Sequence, residues 1–134
     1  MDFGGGIGTH ALANAMSSKV EHVFFVDINQ TNRNFVEYRA KKLGVEKKLT
    51  FCKTIQDTRI MKFDTIICLD VLEHIADPAA QLNNFSEIMD CNSIALFNWY
   101  FYKGDKNEYP FHIDNIQIVE KFFETLQSLS LIHI

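Results

Sequence analysis

Asp2-Phe3-Gly4-Gly5-Gly6-Ile7-Gly8-Thr9-His10 is the stretch that decides the fold, and it carries four of the chain's six glycines. Glycine has no Cβ, so such a loop can turn tightly and let a ligand approach the backbone. Ile7, Ala11, Leu12, Ala15 and Met16 then fall on one face of a helix. A strand end, a glycine turn and a helix are expected in that order. This layout sets free N–H groups and the positive end of a helix beside an anionic group. A bare turn between strand and helix has the same look, so the decision rests on residues downstream.

Val20 to Asp27 is rich in β-branched and aromatic residues and is expected to be the second strand. It ends on Asp27, nineteen residues after Gly8. An acidic group there can accept hydrogen bonds from both hydroxyls of a ribose, or can simply cap the next helix. The dinucleotide pattern G-x-G-x-x-G, started at Gly4, would need glycine where Thr9 stands. The chain instead offers D-x-G-x-G-x-G, with Asp2, Gly4, Gly6 and Gly8. Phe63 to Asp70 is a strong fourth strand, and Val71-Leu72-Glu73-His74-Ile75-Ala76-Asp77-Pro78 follows it.

Together, the glycine motif and the Phe63–Pro78 stretch resemble the class I S-adenosylmethionine-dependent methyltransferases of the small-molecule type. The resemblance implies an α/β fold: a Rossmann-like, doubly wound, mostly parallel sheet with helices on both faces. Residues 1–134 would form one S-adenosylmethionine-binding domain. Its cofactor would be S-adenosyl-L-methionine. Gly4, Gly5, Gly6 and Gly8 would give the methionine part access to the backbone, and Asp2 would help orient its amino group. Asp27, with Ile28 beside it, would hold the ribose. Asp57 is the candidate for the adenine contact, with backbone groups near Thr54 and Ile55 as the alternative. Asp70 and Val71 would flank the adenosine or the methyl, with Glu73 and His74 at the mouth of the site. His74 or His112 would serve as base for an oxygen or nitrogen acceptor. The plainer reading makes both of them ordinary loop histidines.

The resemblance covers nearly the whole chain, but the chain covers only the middle of the family domain. A full hydrophobic strand should precede the glycine loop, and Met1 to Phe3 is too short for one. At the other end, Leu131 to Ile134 begins a strand, and the family's final antiparallel hairpin does not follow. The domain is therefore expected to be partial at both ends. In the family the first strand lies between strands two and four. Shortening it leaves backbone groups unpaired, so the chain alone is expected to be poorly stable or to recruit a partner strand.

The remaining elements fit this plan. A helix over residues 31–43 would point Phe35, Val36, Ala40 and Leu43 inward and stop at Gly44. Leu49 to Lys53 is a short third strand. Arg33, Lys41, Lys42, Lys47 and Lys48 form a basic but solvated face. Asp77-Pro78 opens a helix with Leu82, Phe85 and Met89 on one side. Ser93 to Asn98 is a fifth strand. The rings of Trp99, Tyr100, Phe101 and Tyr102 either line an acceptor pocket or cover the core. Asp114 to Gln117 is expected as a capping box before a helix carrying Val119, Phe122, Phe123 and Leu126 on one face.

Composition narrows the partners. The 134 residues carry a formal charge of −4, which is a poor match to nucleic acid. The Asn/Asp-Pro-Pro-Tyr pattern of methyltransferases acting on nucleic-acid bases is absent after strand four, where Leu69-Asp70-Val71-Leu72 stands. A small-molecule acceptor is expected, and no nucleic acid. No apolar run is long enough for a membrane span and no leader pattern opens the chain, so a cytoplasmic location is expected. Cys52, Cys68 and Cys91 are widely spaced and are expected as buried free thiols. With no C-x-x-C pair and five scattered histidines, no metal site is expected. The oligomeric state stays open. Two other readings also stay open: a non-catalytic or truncated scaffold, and a nicotinamide-dependent oxidoreductase, which shares the strand–glycine–helix–acid layout.

Overall fold

Short runs of β-branched and aromatic residues make the strands, and runs with apolar residues three and four apart make the helices. In the computed structural model, which describes residues 1–59 and 62–129, the order is β1 (Asp2–Phe3), α1 (Thr9–Met16), β2 (Val23–Val26), α2 (Gln30–Leu43), β3 (Leu49–Cys52), β4 (Thr65–Cys68), α3 (Pro78–Glu87), β5 (Ile94–Phe97) and α4 (Ile116–Ser128). Single 3-10 turns at Glu46–Lys48, Gln56–Thr58 and Leu72–His74 join them.

The strands form one sheet in the order β3-β2-β1-β4-β5, and every pairing in it is parallel. Each crossover carries the chain over a sheet face, which gives the expected doubly wound α/β architecture. One core joins Ala11, Leu12 and Ala15 of α1 and Val36 and Ala40 of α2 to Val23, Phe25 and Leu49. The other joins Leu82 and Phe85 of α3 and Phe122 and Leu126 of α4 to Ile66, Cys68 and Leu72. Phe24 packs with the second core while Phe25 fills the first, as the strand period of two requires.

The strand order reverses between β1 and β4, so the carboxyl ends of these two strands flank the crevice where such sheets bind ligands. β1 reaches that crevice with two residues, in register Asp2↔Phe25 and Phe3↔Val26 on one side and Asp2↔Ile67 on the other. β1 thus supplies the central strand at its carboxyl end. Below it, a cleft of about 460 Å³ opens between β2 and β4, lined among others by Met1, Phe24, Phe63 and Thr65.

Several expectations need correction. Ile7 and Met16 are exposed: Ile7 belongs to the loop, and α1 buries only Ala11, Leu12 and Ala15. Phe35 and Leu43 are exposed as well, since α2 buries a narrow stripe of Val36 and Ala40. α3 ends at Glu87, so Met89 packs on the second core from beyond the helix. Phe123 is largely exposed, with Phe122 taking the core position. The cap of α4 is Asn115, not a box from Asp114 to Gln117: its side chain accepts from Gln117 N and Ile118 N. All three cysteines are free, but Cys91 is exposed. The strand expected from Leu131 lies outside the described residues.

Candidate functional site

The glycine loop is closed by its own chemistry. Gly8, at φ 78°, precedes α1 and offers no side-chain cap. Asp2 supplies an acceptor from below: its Oδ2 takes a hydrogen bond from Ala11 N at 2.9 Å. Burial pushes the Asp2 carboxyl above its ordinary range, against the pull of that N–H. Asp27, also buried, ties the other side of the loop. Its Oδ2 accepts from Gly6 N at 3.1 Å and from Asn32 Nδ2 at 3.0 Å, and its Oδ1 accepts from Asn29 N at 2.7 Å. The acid at the end of β2 therefore positions the loop. Oδ1 has one of these three bonds, which leaves it acceptor capacity for a hydroxyl. Ile28, next to it, is 80% exposed at the carboxyl edge of the sheet.

The four glycines divide into packed and open positions. A Cβ on Gly4 would lie 2.5 Å from Val71 Cγ2, and one on Gly8 would lie 2.6 Å from both Val36 methyl carbons. A Cβ on Gly5 would meet the Asp2 carboxylate and the Phe25 ring, each at 2.6 Å. A Cβ on Gly6, at φ 54°, would meet nothing within 4 Å. Three glycines thus let the loop pack against its own protein, while the space beside Gly6 is open and its N–H is given to Asp27. That open space, between Asp27 and the end of β4, fits a polar group that must approach the main chain closely.

The end of β4 is the second half of the crevice. Val71 presses on Gly4, which brings the carboxyl ends of β1 and β4 together. Asp70 adopts φ 55°, unusual for a residue with a side chain. Asn98, just past β5, holds it there: Asp70 N donates to Asn98 Oδ1 at 2.5 Å, and Asn98 Nδ2 donates to Asp70 Oδ1 at 2.7 Å. Non-glycine residues held in this region tend to sit at functional sites. Asp57 lies on the exposed turn after β3. There Thr54 N and Thr54 Oγ1 donate to its Oδ2 at 2.9 and 3.0 Å, and these bonds hold its carboxyl below the ordinary range.

Beyond Asp70 is a cavity of about 330 Å³ lined by Asp70, Glu73, His74, Tyr100, Tyr109 and His112. The aromatic run after β5 splits by alternation. Trp99 and Phe101 pack on Phe122 at ring distances of 5.2 and 4.9 Å, while Tyr100 turns the other way, toward Tyr109 and His112. One side of the run covers the core, and the other, through Tyr100, lines the cavity. The structure also brings together residues that sequence spacing kept apart. His74 and His112 have ring centroids 4.7 Å apart. Tyr109 and the burial of Glu73 had not been expected from the sequence. Their one signal was a charged residue inside an apolar run, at Leu72-Glu73.

This fold and crevice define the class: an α/β domain of the Rossmann-like methyltransferase type. A family model described as "Methyltransferase domain" matches residues 1–110, and the chain belongs to that family. The cofactor that goes with this assignment is S-adenosyl-L-methionine. Solved structures agree on the fold. The [4+2]-cyclase SpnF superposes with a TM-score of 0.71 at 16% identity, over 96% of this chain and 49% of that one. A protein assigned as an rRNA methylase, from Clostridium thermocellum, gives 0.67 at 16% identity, over 94% and 68%. A SAM-dependent methyltransferase from Thiobacillus denitrificans, solved with S-adenosyl-L-homocysteine, gives 0.64 at 17% identity, over 96% and 55%. The chain thus spans about half the length of the first of these. No curated protein matches it in sequence. The neighbours include that assigned rRNA methylase, so the expected exclusion of nucleic acid has no support from them. Among the described residues no helix is long and apolar enough to cross a membrane.

Proposed function

We propose that the chain transfers a methyl group from S-adenosylmethionine to a small-molecule acceptor held in the cavity beyond Asp70. The observation that carries this reading is the Val71–Gly4 contact, which joins an open glycine loop to an aromatic-lined cavity at the sheet's switch point. When bound, S-adenosylmethionine supplies a methyl carbon activated by a sulfonium. The protein's share is to hold two molecules in line and to keep water out. In this reading the main chain at Gly6 meets the methionine part, and the glycines at 4, 5 and 8 shape the loop that presents it. Asp2 braces that loop beside the amino group. Asp27 and Ile28 receive the ribose, Asp57 or its turn receives the adenine, and Asp70 and Val71 separate cofactor from acceptor. His74 and His112 face the acceptor together with Tyr100 and Tyr109.

The size of the cavity and its rings favour a flat or partly apolar acceptor. A second reading, a cofactor-binding scaffold without transfer, is favoured by one observation: Tyr100 and Tyr109 remain about half exposed, so the described residues leave the cavity open. Methyl-labelled S-adenosylmethionine, offered with a panel of small phenols, alcohols and amines and with total RNA, separates the readings. Label in small products supports the proposal. Label only in RNA overturns the acceptor class, and no label from a chain that binds S-adenosylhomocysteine leaves the scaffold.

A further inference from the structure

Glu73, His74 and His112 stand in an arrangement that transfer chemistry alone does not explain. Each offers one ligand atom, and these atoms all lie within 4.8 Å of one another. Glu73 is 2% exposed, and its Oε2 has no hydrogen-bond partner among the described residues. A buried carboxylate oxygen left unpaired is costly, and a bound cation is one way to satisfy it. The two histidines are oriented alike. His74 Nδ1 lies 3.4 Å from Phe111 O, and His112 Nδ1 lies 3.1 Å from Tyr102 O. A ring that donates its Nδ1–H to a carbonyl carries its lone pair on Nε2, the tautomer of a metal ligand with its outer bond already made. Tyr109 stacks on His112 at 4.9 Å and fixes the plane of that ring. Ile113 N donates to Glu73 O at 2.8 Å, which locks the two chain segments side by side.

We propose that Glu73, His74 and His112 bind a divalent transition-metal ion at the floor of the acceptor cavity. Two imidazoles and one carboxylate suit zinc, cobalt or iron, whereas magnesium prefers an all-oxygen shell. Ligand atoms about 2.1 Å from one ion sit about 3–3.5 Å apart, so binding draws this set together by roughly an ångström. Three protein ligands leave coordination positions open. Those positions face the cavity assigned above to the acceptor, where they would take an oxygen of a hydroxyl-bearing acceptor. That last clause rests on the acceptor reading, and the binding of the ion does not.

Co²⁺ is the probe, because its visible absorption reports its ligands. The full chain, freed of metal, is titrated with Co²⁺ and then with Zn²⁺ and Mg²⁺ as competitors. The expected result is one Co²⁺ per chain, displaced by Zn²⁺ and not by excess Mg²⁺. Glu73→Gln and His112→Gln should each weaken binding by roughly 100-fold or more, and His22→Ala, at an exposed histidine outside the cluster, should not change it. If Glu73→Gln fails to fold, the His112→Gln variant decides alone. Absence of Co²⁺ binding, or binding unchanged in His112→Gln, overturns the proposal. S-adenosylhomocysteine binding measured on the same samples keeps the two readings apart, since either ligand can bind without the other.

Discussion

The two ends of the sheet differ. At the carboxyl end, β1 is paired on both sides, its loop is stitched to Asp2 and Asp27, and Val71 closes on Gly4. At the amino end, a cleft of about 460 Å³ lies between β2 and β4. Met1 N donates to Thr65 O at 2.6 Å. A ligand crevice needs only the last residues of a strand and the turn that follows. The stability of a sheet rests on pairing and packing along its whole length. Site and scaffold therefore make separate demands on the same element.

Phe85 meets Phe3 edge-on at 5.1 Å and stacks on Phe97 at 5.3 Å, so it anchors the short β1 from the core. Phe85→Ala should cost about 3–5 kcal/mol in denaturant unfolding, and a loss below 1 kcal/mol would mean that β1 does not depend on this core. Gly8→Ala combines a left-handed backbone with contact on Val36 and should cost about 2–4 kcal/mol. Gly6→Ala has only the backbone term, about 1–2 kcal/mol, but should lower S-adenosylhomocysteine affinity at least tenfold. Equal effects of the two variants on stability would erase the division between packed and open glycines.

The smallest effect is electrostatic. The raised carboxyl of Asp2 favours the fold most below its ordinary value of 3.8, and that advantage is lost as pH rises through the raised native value. Asp2→Asn keeps an acceptor for Ala11 N and removes the titration. The stability of the native chain relative to this variant should therefore fall as pH rises through that window, and a flat difference would show that burial of Asp2 is not felt.

Much of the carboxyl edge was legible in the sequence because its signals are local. The glycines at 4, 6 and 8, Asp27 after a β-rich run, and Asp77-Pro78 at the start of α3 each declare a turn, a strand end or a cap within a few residues. Helix faces were less legible. Phe35, Leu43 and Phe123 follow the helical period, but a short helix on a five-stranded sheet covers only a narrow stripe. The cap of α4 moved by one residue because Asp114 and Asn115 are both good caps and only the backbone chooses. The cluster of Glu73, His74 and His112 was hidden, since no local spacing links residue 74 to residue 112. It forms only where the turn after β4 meets the loop after β5.

The most direct test of the central claim is calorimetric titration of the chain with S-adenosylhomocysteine, with NAD as control, repeated for Gly6→Ala. The account predicts micromolar binding of S-adenosylhomocysteine, no binding of NAD, and a clear loss in a Gly6→Ala variant that stays folded. A folded chain that binds neither ligand, or that binds NAD instead, would contradict it.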